Sequence, residues 1–110
     1  MDSNALTEAS ERRSNERVTF VAEVHYSVDQ IGFQSRSSDL SRSGIYLEDS
    51  WPPENGMTVV VEFDLLGRRI KTRGTVVVSD APIGFAVEFD ETRPEDLDAI
   101  GDYIANLEQP

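Results

Sequence analysis

Apolar and polar residues alternate along most of the chain, with breaks at polar or glycine-containing stretches. Six alternating runs lie at residues 18–28, 31–38, 45–47, 57–65, 69–79 and 83–89. A period of two places successive side chains on opposite faces of a strand. Each run therefore predicts a strand with one buried face, and the predicted inward residues include Phe33, Val78 and Ile83.

The breaks between these runs have the composition of turns and loops. Asp29-Gln30 and Leu66-Gly67-Arg68 predict tight turns, and residues 50–56 form a loop with two prolines and an Asn-Gly pair. Gly74 interrupts the fifth run, which indicates a bulge or a sharp bend within that strand.

A period of three to four residues replaces the alternation near the C-terminus. Leu97, Ile100, Ile104 and Leu107 share one helical face, which predicts a helix over residues 93–108. Thr92 and Glu95 have the spacing of a capping box at its start. A helix this short is marginal alone, so we expect it to pack on the sheet.

Six strands without strand–helix–strand alternation favour a mainly β fold over a parallel α/β fold. The strand pattern by itself leaves an antiparallel barrel and a β-sandwich open. The 110 residues suit a single domain. Residues 1–11 are polar and weakly patterned, and they predict a flexible N-terminal tail.

Composition excludes some kinds of chemistry and indicates the cellular compartment. The chain contains no cysteine, which excludes disulfides, thiolate metal sites and cysteine catalysis and fits a reducing compartment. The apolar runs are too short to span a bilayer, and residues 1–12 lack the apolar core of a signal peptide. These features predict a cytoplasmic protein without membrane insertion.

Charge is strongly negative but unevenly distributed. The net charge of −11 argues against binding to nucleic acids or anionic membranes, which favour basic surfaces. Residues 1–44 carry five arginines and seven acidic residues, and residues 45–110 carry most of the excess negative charge. A local arginine cluster could meet a small anion on this acidic body, or the arginines could only pair with nearby acids.

Two polar stretches stand at defined places in the strand order. Arg12 to Arg17 lies directly before the first strand, and Asp39 to Gly44 lies between the second and third. Together they resemble the signature of PilZ domains, R-x-x-x-R followed by D/N-x-S-x-x-G. The first part is Arg13 and Arg17, and the second is Asp39, Ser41 and Gly44.

The resemblance covers residues 12–108 and implies a six-stranded antiparallel β-barrel with a C-terminal α-helix. It also implies binding of cyclic di-GMP, a bacterial second messenger. The implied binding residues are Arg12, Arg13, Arg17, Asp39, Ser41 and Gly44. Arg12, directly before the motif, suggests that the ligand binds as an intercalated pair. No other cofactor is implied.

The chemistry of these residue types suits that ligand. The arginine fork pairs with phosphate oxygens or with the guanine edge, and its flat face stacks on purines. Asp39 could accept hydrogen bonds from guanine N1 and N2, or brace an arginine. The Ser41 hydroxyl could contact phosphate or base. Gly44 could allow a positive φ or a close ligand approach. Alternatively, residues 39–44 form only an Asx-type turn.

Two functional hypotheses remain open. In the first, the chain is a cyclic di-GMP receptor whose arginine loop changes conformation on binding and signals to an unidentified effector protein. In the second, it is a protein-interaction adaptor with the same barrel that binds no nucleotide. No nucleophile–base arrangement predicts an enzyme. His25 is interpreted as a surface residue, and Trp51 as a cover on the barrel edge rather than a partner contact. The role of Tyr103 is open.

Overall fold

The computed structural model describes residues 16–108 of the chain, so the predicted tail at residues 1–11 lies outside the described part. The fold is a closed six-stranded antiparallel β-barrel with one C-terminal helix, which confirms the predicted fold class. The elements are β1 Val18–Thr19, β2 Glu23–Val28, β3 Ile31–Leu40, β4 Gly44–Glu48, β5 Thr58–Leu65, β6 Arg68–Asp80, β7 Gly84–Glu91 and helix α1 Pro94–Glu108.

Every strand pairing in the barrel is antiparallel. The strands run in the order β3, β2, β5, β6, β7, β4, and the pairing of β4 with β3 closes the ring. The short β1 pairs with the end of β3 outside this ring. Two-residue turns join β2 to β3 and β5 to β6, and in both turns the two residues have positive φ (Asp29 and Gln30; Leu66 and Gly67). Such turns match the twist of paired strands.

The core forms where the inward faces of the strands meet the helix. Alternate residues of β5 are buried, as the pattern predicts. The largest fully buried side chains include Leu40, Leu47, Phe63, Ile70, Phe85, Ile100 and Ile104. Tyr103 of α1 packs edge-on against Phe20, with ring centroids 5.5 Å apart, and Phe20 in turn contacts Phe63. The helix therefore packs against the barrel core.

The first predicted strand is divided in two. Regular strand pairing stops after Thr19 and resumes at Glu23, and the buried Ser37 side chain contacts the backbone between them. Its hydroxyl donates to the carbonyl of Phe20 (2.6 Å) and accepts from the N–H of Ala22 (3.0 Å). On the other side of β3, the pairing with β4 shifts its register between Ser37 and Asp39. Alternation alone does not reveal either feature.

Three strand residues predicted to face the core are exposed, as are Leu97 and Leu107 of the predicted apolar helix face. Phe33, Val78 and Ile83 are 45%, 46% and 61% exposed. Phe33 stands near the tip of the β2–β3 hairpin and packs on Tyr26 instead. A bulge between Val76 and Val78 shifts the register of β6 against β7, so Val78 no longer follows the inward face. A second shift occurs at Gly74, where a bulge or bend was predicted.

The helix start differs from the predicted capping box. The carbonyl of Arg93 accepts the first helical hydrogen bonds, and the Thr92 hydroxyl contacts the hydroxyl of Thr72 at 2.6 Å. Asp96 is buried and accepts hydrogen bonds from Arg68 (Nε, 2.9 Å) and Arg93 (Nε, 3.4 Å). This carboxylate fastens the first turn of α1 to the start of β6.

Candidate functional site

Four of the six predicted site residues lie in the described part of the chain, and all four line one groove. Arg17 precedes β1, Asp39 is near the end of β3, Ser41 is in the β3–β4 turn, and Gly44 begins β4. The groove has a volume of about 170 Å³. Arg12 and Arg13 lie outside the described residues.

Strand pairing brings Arg17 to the signature turn. Val18 pairs with Leu40 and Thr19 with Asp39 in the antiparallel β1–β3 ladder. Continuing this register by one residue places Arg17 beside Ser41. The side chain of Arg17 is exposed at this position. Two stretches that are more than twenty residues apart in sequence thus border the same groove.

The opposite wall of the groove comes from β4, β6 and β7. Tyr46 pairs with Asp39 on one side and with Ala86 on the other, so the three residues share one face of the sheet. Val77 and Glu88 also border the groove. The lining therefore combines a guanidinium, two carboxylates, hydroxyl groups and an apolar wall.

Tyr46 is a candidate site residue that the sequence reasoning missed. Burial raises the pKa of its phenol, and the carboxylates of Asp80 and Asp39 raise it further, while Arg17 lowers it. The phenol therefore stays protonated near neutral pH and can donate or accept a hydrogen bond. Its position two residues after Gly44 on a strand was the available signal, because such residues share a face.

The Ser41 side chain organises its own turn. Its hydroxyl accepts from the N–H groups of Ser43 (3.2 Å) and Gly44 (3.1 Å), and its N–H donates to the carbonyl of Gly44 (2.9 Å). Ser41 is also buried. This is the local turn that the sequence left open as an alternative, built by serine rather than by an Asx residue.

Gly44 is required by strand packing. Its φ is not positive, in contrast to Gly56 and Gly67. A Cβ at this position would lie within 3.0 Å of the Val87 carbonyl oxygen, far inside contact distance. The backbone of β7 therefore disfavours any larger residue, and of the two roles considered for Gly44 the positive φ is not adopted.

The turn also contacts the helix. Arg42 Nη2 donates a hydrogen bond to the carbonyl oxygen of Gly101, over 3.3 Å. Arg42 lies between Ser41 and Ser43, both of which border the groove. The groove and α1 are thus joined by one side chain.

Of two further residues interpreted from the sequence, Trp51 has a different position from that expected and His25 does not. Trp51 is 90% exposed, so the interpretation as a barrel cover is wrong. His25 lies on the surface, and its Nε2 atom is 3.7 Å from Oε1 of Glu23. Within residues 16–108, no cluster of three histidine or acidic side chains is arranged to hold a metal ion. Over the same residues, no helix has the length and apolar character needed to cross a membrane.

Comparison of structures shows the same fold in three solved proteins. The Bacillus subtilis inhibitor of motility (MotI/DgrA) superposes with a TM-score of 0.75 at 20% identity, over 87% of this chain and 51% of that one. Borreliella burgdorferi PlzA, solved in complex with c-di-GMP, superposes with a TM-score of 0.69 at 16% identity, over 91% of this chain and 44% of that one. The PilZ domain of CeSA from a cellulose synthesizing bacterium superposes with a TM-score of 0.66 at 16% identity, over 86% of this chain and 99% of that one.

The chain thus spans about half the length of the first two proteins and nearly all of the third. At these identities the likeness shows the fold. No curated protein sequence matches the chain significantly. The sequence model of the PilZ domain, however, matches residues 11–106, which include both parts of the signature. The chain belongs to the PilZ domain family.

Proposed function

We propose that this protein is a receptor for cyclic di-GMP and acts by binding rather than by catalysis. The observation that supports this best is the shared groove of Arg17, Asp39, Ser41 and Gly44. The B. burgdorferi protein with the same fold was solved with this ligand. The residue types in the groove suit a guanine nucleotide, as set out above.

Each side of the groove has a proposed role. The Arg17 guanidinium pairs with a phosphate or stacks on guanine. The Asp39 carboxylate accepts from the guanine N1 and N2 donors, and Tyr46 with Val77 offers an apolar surface for the base. Ser41 and Gly44 act mainly by shaping the turn and letting β4 approach β7.

The size of the groove indicates that the described residues form only part of the site. Its volume of about 170 Å³ is below the roughly 300–1,000 Å³ of typical small-molecule pockets. In the proposal, Arg12 and Arg13 contact the remaining surface of the ligand when the arginine loop closes. Arg12 then reaches the second molecule of an intercalated pair.

The proposed output is a change at the protein surface that an effector protein recognises. Closure of the arginine loop alters the surface beside β1 and the signature turn. The Arg42–Gly101 hydrogen bond offers a route from that turn to α1. The identity of the effector is left open.

Isothermal titration calorimetry with cyclic di-GMP tests the proposal. Arg13→Ala and Arg17→Ala should each abolish measurable binding while the circular dichroism spectrum stays unchanged. Arg69→Ala is the matched control, because Arg69 is an exposed arginine of β6 that pairs with Glu62 and Asp64 away from the groove. No binding by the unmodified chain would refute the receptor proposal, and full-strength binding by both test variants would refute the assigned arginine site. One ligand per protomer at saturation would refute the intercalated pair.

The adaptor without nucleotide binding is the second candidate. The groove contains the carboxylates of Asp39 and Glu88, which repel phosphate, and the Ser41 hydroxyl already contacts its own turn. Amide chemical shifts decide between the two candidates. The receptor predicts changes at residues 12–17 and 39–44 on addition of cyclic di-GMP and none with GTP, whereas the adaptor predicts none with either.

A further inference from the structure

A second groove lies beside the β2–β3 hairpin and is lined largely by apolar side chains, of which Phe33 and Trp51 are exposed. Its volume is about 500 Å³. The apolar lining comes from the hairpin and from the loop after β4: Val28, Phe33, Trp51, Pro52, Pro53 and Met57. Trp51 is 90% exposed and Phe33 is 45% exposed. Clustered aromatic surface of this kind is typical of a site for another molecule.

The groove is held in shape by contacts beneath it. The ring of Tyr26 stacks on Phe33, with centroids 5.1 Å apart and an interplanar angle of 22°. The Tyr26 hydroxyl donates to Asp49, and the other Asp49 oxygen accepts from the N–H of Trp51 at 2.9 Å. Hairpin and loop are therefore tied together, and Pro52 and Pro53 restrict the loop backbone. A preformed surface of this kind loses little entropy on binding.

This groove is separate from the proposed nucleotide site. Phe33 and Asp39 are both on β3, six residues apart, which corresponds to about 20 Å along a strand. The two grooves have no lining residue in common. A ligand in the hairpin groove therefore contacts none of the described residues that line the proposed nucleotide site.

The charge of the residues that line this groove indicates what kind of molecule binds there. The charged residues that line the groove, Asp49 and Glu54, are both acidic, and none of the described lining residues is basic. The chain as a whole has a net charge of −11. A second copy of the chain would bring the same negative charge, so like-charge repulsion disfavours self-association through this face.

We propose that the hairpin groove docks a peptide segment of a partner protein that has an apolar or aromatic anchor next to lysine or arginine. The anchor packs between Phe33 and Trp51 and against the two prolines. The basic residues pair with the exposed Glu54 carboxylate. Exposed tryptophans in such surfaces commonly supply most of the binding energy.

A display library of random short peptides without tryptophan, selected against the full chain, provides the probe. The expected result is enrichment of peptides that combine an aromatic or aliphatic residue with net positive charge. Trp51 is the only tryptophan in the chain, so binding should shift its fluorescence emission to shorter wavelength. Trp51→Ala should weaken binding about tenfold or more, and Glu54→Lys should weaken it in a salt-dependent manner.

Leu66→Asn is the matched control, because Leu66 is an exposed apolar residue at a turn away from the groove and asparagine tolerates its positive φ. Its binding should equal that of the unmodified chain. Arg17→Ala should also bind the peptides normally, which separates this proposal from the nucleotide proposal. Failure to enrich any peptide, enrichment of acidic peptides, or undiminished binding by Trp51→Ala would overturn the proposal. A concentration-dependent dimer that Trp51→Ala abolishes would instead assign the groove to a second copy.

Discussion

The guanidinium of Arg42 donates to the carbonyl oxygen of Gly101, which joins the signature turn to the middle of helix α1 over 3.3 Å. These residues are 59 positions apart in sequence. Arg42 occupies one of the variable positions of the D-x-S-x-x-G motif. A residue of this turn therefore contacts the helix that packs against the barrel core.

Gly101→Ala tests how firmly this contact is held. An added Cβ would lie 3.3 Å from Arg42 Nε, at the end of a flexible side chain that can move aside. Replacing a helical glycine with alanine stabilises a helix by about 1 kcal/mol, so we expect a net gain of about 0.5–1 kcal/mol in the free energy of unfolding. Urea denaturation measures this change. A loss of stability would mean that the Arg42 side chain cannot move and that the turn and helix are rigidly coupled.

Gly44→Ala should destabilise the barrel. The new methyl group would clash with the Val87 carbonyl oxygen and force β4 away from β7. Overpacking of this kind costs about 1–3 kcal/mol. Gly32→Ala is the control, since a Cβ at Gly32 meets no atom within 4 Å. Thermal denaturation of both variants should show a lower midpoint for Gly44→Ala alone, and an equal effect in the two would contradict the packing argument.

Asp96→Ala should destabilise the fold through the start of α1. The buried carboxylate accepts from Arg68 Nε at 2.9 Å and lies 2.8 Å from Arg68 Nη2. Losing hydrogen bonds to a charged group costs about 1.5–3 kcal/mol, and the half-exposed Arg68 recovers part of this by contact with water. Asp98→Asn, at an exposed position of the same helix, should change the unfolding free energy by much less. Equal losses in chemical denaturation would show that helix-end charge, not the buried pair, is responsible.

Stability should fall at high pH through Tyr26. Burial raises the pKa of its phenol, and the hydrogen bond to Asp49 and that residue's negative charge raise it further. The unfolded chain then loses the phenol proton first, near pH 10, so the stabilisation is fully present below about pH 10 and decreases above it. Unfolding free energies measured between neutral pH and pH 11 should show this decrease.

Tyr26→Phe is the matched variant for that experiment. It removes the titrating group and one hydrogen bond, so its stability near neutral pH should be lower by about 1 kcal/mol. Its decrease above pH 10 should be smaller than that of the unmodified chain. Identical pH profiles would mean that other groups cause the alkaline loss.

The sequence by itself determined the mainly β fold, the C-terminal helix and the family. A period of two in β5 and a period near 3.6 in α1 are local properties, because each follows from backbone geometry. The order of the two signature stretches relative to the strands also required no tertiary information. Leu66-Gly67, a turn in the sequence pattern, is a turn in the structure.

Only the tertiary structure decided which nonlocal groups oppose each residue. Alternation assigned Phe33 to the core, but it cannot tell how far a hairpin extends beyond the barrel. A side chain at Gly44 would collide with the Val87 carbonyl oxygen, so strand packing requires glycine there. The Asp96 carboxylate can be buried because Arg68 pairs with it. These relationships join residues that are distant along the chain, and their energies depend on packing distances that no local period encodes.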